Sequence, residues 1–454
     1  MRFWEGATLA LSVWLAYRAW SDSPGMLAGT VYIALAIHWI AEGPRWQMWP
    51  AYAAIAAASL ALLAGPSTAA KATAAVAFLL TLASLAACVA VPVFRLPMPS
   101  GPFPVGTSVA HLKLNRADEG NPSRDLMVQF WYPAQRRSAE CRQSPYRMEP
   151  GRYLPWRLRH LTLVRTNACL DAEAAPGRHP LLIYSPSWTG QRGGNTMLHE
   201  ALASNGYVVA AIDHPSGSTI VVLPDGRSIR TAMDAEEDYS SAEAVNRFLS
   251  LGEREVRIRA ADSAALLDLL RLGGHSMAEH VDWSKAGIYG HSFGGAVAAE
   301  ATRLDPRFKV CVNLDGLLFG EARRAGIAVP FLMVAEDVPP PSEQANQGRQ
   351  LAVWKIHQDA LTRTFRQHGG ALLRIRGALH KNFSDSPLFS KVQRLNGAGD
   401  IGPERCAEIL NAHILDFVNT ALLAKDSANP RFPEAALQLF PAQASVNGVR
   451  GKVE

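Results

Sequence analysis

Charge is nearly absent from the first 95 residues, and this most narrows what they can become. Only Arg2, Arg18, Arg45, Lys71 and Arg95 are basic there, and only Glu5, Asp22 and Glu42 are acidic. Uncharged stretches run over Gly6–Tyr17, Ser23–Ala41, Trp46–Ala70 and Ala72–Phe94. About 20 apolar residues cross the hydrocarbon core of a bilayer, so the last two suffice, Ser23–Ala41 is marginal and Gly6–Tyr17 is short. Six of the eleven tryptophans (Trp4, Trp14, Trp20, Trp39, Trp46, Trp49) fall here, mostly near segment ends, where interfacial aromatics anchor. A signal peptide has one apolar core, whereas four segments follow one another here. The expectation is a multipass module of three or four transmembrane helices over residues 1–95, integral to a bacterial-type cell membrane. His38 is expected at the interface, since no acid lies deep in the spans. With four spans, Arg2, Arg45 and Arg95 face Arg18 and Lys71 across the membrane, which leaves the side of the remaining chain open.

Beyond residue 95 the character changes. The whole chain holds 45 Lys+Arg and 40 Asp+Glu, so 40 basic and 37 acidic residues remain there. A net of +3 over some 360 residues, with no basic stripe, argues against nucleic acid as a partner. Five cysteines without a CxxC pair exclude a disulfide scaffold and a zinc ribbon. His275 and His280 stand five apart and no HExxH occurs, so neither metal nor cofactor is expected. Pro97, Pro99, Pro102 and Pro104 make residues 96–106 a stiff linker.

Short β-branched and apolar runs then recur at Ser108–Leu114, Leu126–Tyr132, Pro180–Ser185, Tyr207–Ile212, Ala286–Gly290, Phe308–Leu314, Pro330–Ala335 and Leu372–Ile375. Amphipathic stretches lie at Glu253–Leu272, Gln344–Gln367 and Cys406–Leu423. Strands alternating with helices predict an α/β domain over 107–424, with a mostly parallel sheet covered on both faces. The first two runs, joined by a polar turn at Arg116–Ser123, predict an antiparallel hairpin at a sheet edge. An excursion at 136–178, bracketed by Cys141 and Cys169, reads as a lid or an inert insertion. Residues 425–454 read as a C-terminal tail. A Cys141–Cys169 disulfide would require an oxidising compartment.

Gly290-His291-Ser292-Phe293-Gly294-Gly295 follows the run Ala286–Tyr289 and precedes a stretch rich in small residues. Between a buried strand and a helix, G-x-S-x-G describes a nucleophile elbow, the signature of the α/β-hydrolase fold. A serine hydroxyl needs a base, and the base needs a carboxylate to orient it. His380, just after the Leu372–Ile375 strand, stands where that base should be; His357, His368 and His413 fall in helices, where packing or solvated roles are the default. Asp315 and Asp337 each end a strand, and spacing alone does not choose between them. Asp337 runs into Pro339-Pro340-Pro341, whereas Asp315 precedes Gly316, whose freedom at positive φ would permit a sharp turn. The oxyanion donors are expected at the backbone N–H groups of Phe293 and Trp188.

These residues carry a resemblance. From about Leu96 to Leu423 the chain resembles the platelet-activating-factor acetylhydrolase family, plasma and type II intracellular branch. The motifs are Gly101-Pro102-Phe103-Pro104-Val105-Gly106-Thr107, Trp131-Tyr132-Pro133-Ala134, Asp213-His214, the Gly290–Gly295 elbow, Asn313-Leu314-Asp315-Gly316 and His380-Lys381-Asn382-Phe383-Ser384-Asp385. The resemblance implies Asp315 as the acid, and a metal-independent serine esterase acting on short or oxidised acyl chains of phospholipid-like esters. Where the family usually has His-Gly, this chain has Pro186-Ser187, and proline has no N–H. The expected function is membrane-anchored hydrolysis of lipid-like esters; the alternatives are a broad carboxylesterase or transacylase, or a silent hydrolase fold acting as a receptor or scaffold.

Overall fold

The computed structural model describes residues 2–21, 28–114, 124–135, 141–215, 217–231, 238–341 and 348–441. The turn expected at Arg116–Ser123, the start of the Ser23–Ala41 stretch, residues 136–140 of the excursion and 442–454 of the tail lie outside the described residues. Contacts divide the chain into two units. One holds Met1–Leu96, Ser144–Thr166 and Ser386–Asn396; the other holds Pro97–Gln143, Asn167–Asp385 and Gly397–Glu454.

The first unit is built on α1 (Phe3–Ser21), α2 (Ala28–Ile37), α3 (Trp49–Ala64) and α4 (Thr68–Ala90). Small residues at helical spacing form its interior: Ala51, Ala54, Ala58 and Ala61 on α3, and Ala70, Ala74, Ala77, Thr81 and Ser84 on α4. Small side chains let helix backbones approach closely, and their few polar groups bond across helices. Ser12 meets Thr81 at 2.8 Å, and Ser84 Oγ accepts from the Ala51 N–H at 2.8 Å. Large apolar residues point the other way: Leu60, Leu63, Val76, Phe78, Leu79, Leu82, Leu85 and Val89 are exposed. Among the described residues two helices, Trp46–Ala64 and Thr68–Ala90, are long and apolar enough to cross a membrane. His38 is fully buried with an acid beside it: Nδ1 lies 3.1 Å from Glu42 and Nε2 2.7 Å from Tyr52 Oη. Of the excursion, 144–166 belongs to this unit, where Trp156 packs on Trp46 and Trp49.

The second unit holds β1 (Val105–Leu114), β2 (Arg124–Pro133), β3 (Gln143–Pro145, at the boundary between the units), β4 (Arg165–Leu170), β5 (His179–Ser185), β6 (Val208–Asp213), β7 (Ile220–Val222), β8 (Ser228–Arg230), β9 (Val281–His291), β10 (Phe308–Leu314), β11 (Phe331–Ala335), β12 (Gly370–Ile375) and β13 (Ala435–Phe440). Its helices are α5 (Thr196–Ser204), α6 (Ala242–Arg271), α7 (Phe293–Leu304), α8 (Gly320–Ala325), α9 (Gly348–His368) and α10 (Pro403–Leu423). The main sheet runs β13-β12-β11-β10-β9-β5-β6-β2-β1-β4, parallel from β12 to β6. Side chains alternate across it with period two. Leu181 and Ile183 of β5 join one core with α6, α7 and α9, whereas Leu182 and Tyr184 join the other with α5 and α10.

Five strands, β3, β4, β7, β8 and β13, lie outside the expected runs, and β4 and β13 bear on the sheet edges. The β1–β2 hairpin is antiparallel, but β4, from within the excursion, pairs parallel with β1 and covers that edge. The tail carries β13, antiparallel to β12 from Gly370↔Phe440 to Ile375↔Ala435. Between them they hold one β-branched residue, Thr166, and an open ladder recruits such segments more than their own propensity does. A disulfide joins Cys141 to Cys169 with Cα atoms 5.3 Å apart.

Candidate active site

Ser292 sits between β9 and α7 at φ 57°, ψ −127°. A non-glycine residue held there is strained, as residues at functional turns often are. The surrounding glycines are sterically required. A Cβ on Gly290 would lie 2.1 Å from the Gly294 carbonyl oxygen, and one on Gly294 2.0 Å from that of Ser185. The turn is pinned from the neighbouring strand, because the Ser292 N–H donates to the Leu314 carbonyl at 2.8 Å. Phe293 begins α7, so its N–H has no acceptor within the helix.

Asp315 follows β10 and is itself at φ 59°. The positive φ expected at Gly316 thus falls on the acid. What Gly316 contributes is the missing Cβ, which would stand 2.0 Å from the Ser292 carbonyl oxygen. Asn313 shapes this turn by accepting from the Gly316 N–H at 2.7 Å and donating to the Gly316 carbonyl at 3.0 Å. Asp315 Oδ2 is 2.7 Å from His380 Nδ1, and Oδ1 accepts from the Glu336 N–H at 3.0 Å. Asp337 is engaged elsewhere: its carboxylate accepts from the Gly377 N–H at 2.9 Å, closing the loop after β12.

Burial alone would lower the pKa of His380, but the hydrogen bond it donates to Asp315 and the charge of that carboxylate outweigh it, and the net direction is upward. The imidazole and Ser292 line the same cavity of about 810 Å³, without a hydrogen bond between them in the resting state. Such bonds often tighten only around substrate. Trp188, Phe248, Phe293, Phe319 and Trp354 supply apolar wall, and Arg374 and Lys381 supply cationic groups.

Two neighbours, Glu336 and His291, escaped sequence reasoning, and a third, His357, was read there only as a helix residue. Glu336 grips both partners, because its N–H bonds Asp315 while its carboxylate accepts from the His380 N–H at 3.1 Å. His291, inside the elbow, donates from Nε2 to the His380 carbonyl at 3.0 Å; burial first, then the nearby His380, pushes its pKa well down. His357 is a packing residue of α9 that also lines the cavity, and its Nδ1 accepts from the Leu318 N–H at 3.1 Å. Burial drives it down to about 4, so it is neutral at ordinary pH. Position alone could have flagged His291, as the variable residue of G-x-S-x-G; nothing in the sequence singles out Glu336.

Trp188, expected to carry the second oxyanion donor, packs edge-on against Phe293 with ring centres 4.5 Å apart. As for metals, Glu5, His38 and Glu42 bring ligand atoms within 4.8 Å of one another. Glu5 is already paired with Arg2 and with Arg45 at 2.6 Å, and those two positive charges offset the acids. The set does not fit a divalent cation.

A serine on a strained strand-to-helix turn, with an Asp–His pair on the same cavity, stands on an esterase-like α/β fold with a mostly parallel sheet. The chain belongs to the family of platelet-activating factor acetylhydrolase, isoform II, whose model matches residues 158–430. It is 24% identical over 382 residues to a probable 1-alkyl-2-acetylglycerophosphocholine esterase of Arthroderma benhamiae, covering 75% of this chain and 92% of that one. With the platelet-activating factor acetylhydrolase of Cavia porcellus it shares 26% identity over 275 residues, 54% of this chain and 58% of the relative. Among solved structures it resembles a ferulic acid esterase from Streptomyces cinnamoneus, with TM-score 0.60, 27% identity, and coverage of 76% of this chain and 99% of that one. The protein is a carboxylic-ester hydrolase.

Proposed function

We propose that this is a membrane-anchored serine hydrolase of short-acyl or lipid-like esters, acting through Ser292, His380 and Asp315. The observation that carries the reading is the 2.7 Å contact between His380 Nδ1 and Asp315 Oδ2 beside the cavity that Ser292 lines. Asp315 holds Nδ1 protonated, so Nε2 is the free base. It takes the Ser292 proton as Oγ attacks the ester carbonyl, and the imidazolium is stabilised by the carboxylate. The oxyanion accepts from the N–H groups of Phe293 and Trp188. The imidazolium then protonates the departing alkoxide, and the acyl-serine is hydrolysed when Nε2 deprotonates a water. None of these steps uses a metal or cofactor.

The 1-alkyl-2-acetylglycerophosphocholine named for one relative carries a small acyl group on a bulky partner and supports that acyl size, whereas the ferulic acid esterase, whose acyl group is aromatic, supports ester cleavage more broadly. A cavity of about 810 Å³ has room for the bulk. Residues 1–95 serve as a multipass anchor of three or four helices, supported by the large apolar residues pointing outward on α3 and α4. The Cys141–Cys169 bond favours placing the hydrolase domain, 107–424, on the oxidising face. A fluorophosphonate probe should label wild type at Ser292 and leave Ser292→Ala unlabelled, and p-nitrophenyl esters should be cleaved with falling kcat/KM as the acyl chain lengthens. Labelling that survives Ser292→Ala overturns the assignment.

A further inference from the structure

A second serine–histidine–aspartate chain lies behind the oxyanion loop. Ser185 Oγ is 3.0 Å from His214 Nε2, and His214 Nδ1 is 2.9 Å from Asp262 Oδ2. Arg124 pairs with both Asp262 oxygens at 2.8 Å. Ser185 and His214 are fully buried, Asp262 nearly so, and none of the three lines the cavity. No substrate reaches this serine, so the chain is not a second nucleophile. Burial lowers the His214 pKa against the opposing pull of Asp262, which keeps the imidazole neutral. A neutral imidazole has one donor and one acceptor. With Nδ1–H committed to the carboxylate, Nε2 must accept, and the Ser185 hydroxyl must donate.

The fold puts this chain where position matters. Ser185 ends β5, pairs in register with Gly290, and its carbonyl is the group that forbids a Cβ on Gly294. The next residues, Pro186-Ser187-Trp188-Thr189-Gly190, form a turn closed by the Gly190 N–H on the Ser187 carbonyl at 3.0 Å. The far side of that turn is held by Arg259, itself buried. Its guanidinium donates to the Trp188 carbonyl at 2.8 Å and lies 4.9 Å from the centre of the Phe293 ring. The loop is thus anchored at both ends from beneath.

We propose that Ser185, His214, Asp262 and Arg124 act as a buried positioning relay which, with Arg259, fixes the Pro186–Gly190 loop so that its backbone can stabilise the oxyanion. The proposal rests on the Ser292 reading above. A polar chain serves this purpose better than apolar packing, because hydrogen bonds set direction as well as distance. It also offers a physical account of how Pro186-Ser187 can replace His-Gly: the loop is held by what lies under it.

The test uses the full-length chain in detergent, with active sites counted by fluorophosphonate burst. Ser185→Ala removes only the last link and one neutral hydrogen bond. It should lower kcat per titrated site roughly 10- to 100-fold while KM for p-nitrophenyl acetate stays within about twofold. Affinity for a trifluoromethyl ketone, whose adduct carries an oxyanion, should fall in parallel. His214→Gln should behave alike where it folds, and Ser185→Ala decides the matter where it does not. A merely structural role would lower thermal stability and the number of titratable sites but leave kcat per site and ketone affinity unchanged; that result, or a change in KM alone, overturns the relay. Failure of the underlying reading would show differently, as wild type that takes no label at Ser292.

Discussion

Two aspartates end neighbouring strands here, and their surroundings separate them by chemistry. Asp315 faces an imidazole, whereas Asp337 faces a backbone N–H. An amide at 315 cannot hold the productive tautomer or stabilise the imidazolium, so Asp315→Asn should lower kcat roughly 10⁴-fold. Asp337→Asn replaces a turn contact worth about 1 kcal/mol and should leave kcat within about threefold. Steady-state kinetics on two variants of equal thermal stability measures both, and the reverse ranking would transfer the acid to Asp337. The pH profile carries the same information. His380 must be neutral to act as base, and its pKa is raised above the ordinary histidine value. The acid limb of kcat/KM should therefore lie above pH 6.5 and move down in Asp315→Asn. Stability runs the other way: a raised folded pKa gives stabilisation that is complete below the unfolded pKa and is lost as pH rises through the folded one. Activity and stability should diverge across that window, which a titration of unfolding free energy beside the rate profile would show.

Three elements meet at the turn after β10. The elbow, the acid turn and the β5 loop exclude side chains at Gly290, Gly294, Gly295 and Gly316, since each added Cβ would lie within about 2.1 Å of a neighbouring oxygen. Three of those oxygens are backbone and none can swing aside. Gly316→Ala pushes directly on the Ser292 carbonyl. It should cost about 2–3 kcal/mol in denaturant unfolding and remove most probe labelling, although residue 316 carries no reactive group. Full labelling in a variant of normal stability would show that the elbow tolerates displacement. The Cys141–Cys169 bond closes a loop of 28 residues, so reduction should destabilise the second unit by about 3–4 kcal/mol. Mass spectrometry of non-reduced peptides from membrane-extracted protein should recover the linked pair.

The two units obey opposite packing rules. In one, apolar bulk is inside the sheet layers; in the other, α3 and α4 bury mostly alanines and none of their leucines. Water does not favour the second arrangement, and lipid does. Leu79, exposed and midway along α4, discriminates the two. In lipid, Leu79→Arg should oppose insertion by about 3 kcal/mol and shift the chain out of the carbonate-resistant membrane fraction. In water the same change would be within about 0.5 kcal/mol of neutral and would only aid solubility.

Much of this was legible in the chain itself. The charge-free N-terminal stretches, the alternation of strand and helix after Pro104, and the elbow around Ser292 are local patterns, written in composition and spacing. Asp315 and His380 were also nameable, because each follows a strand at a loop where such groups belong. Spacing alone left Asp315 and Asp337 equivalent and only the resemblance pointed to Asp315; it is the turn at φ 59° that aims this carboxylate at the imidazole. The strands β4 and β13 stayed hidden for a related reason: they are weak strand formers that exist because an open ladder lay beside them. Glu336, His291 and the buried Ser185–His214–Asp262 chain join residues up to 89 positions apart. Local propensity depends on near neighbours along the chain, whereas a buried hydrogen bond depends on which distant groups the fold brings within about 3 Å. That is why the sequence determined the elements and the candidate chemistry, and only the tertiary structure decided which carboxylate meets which histidine.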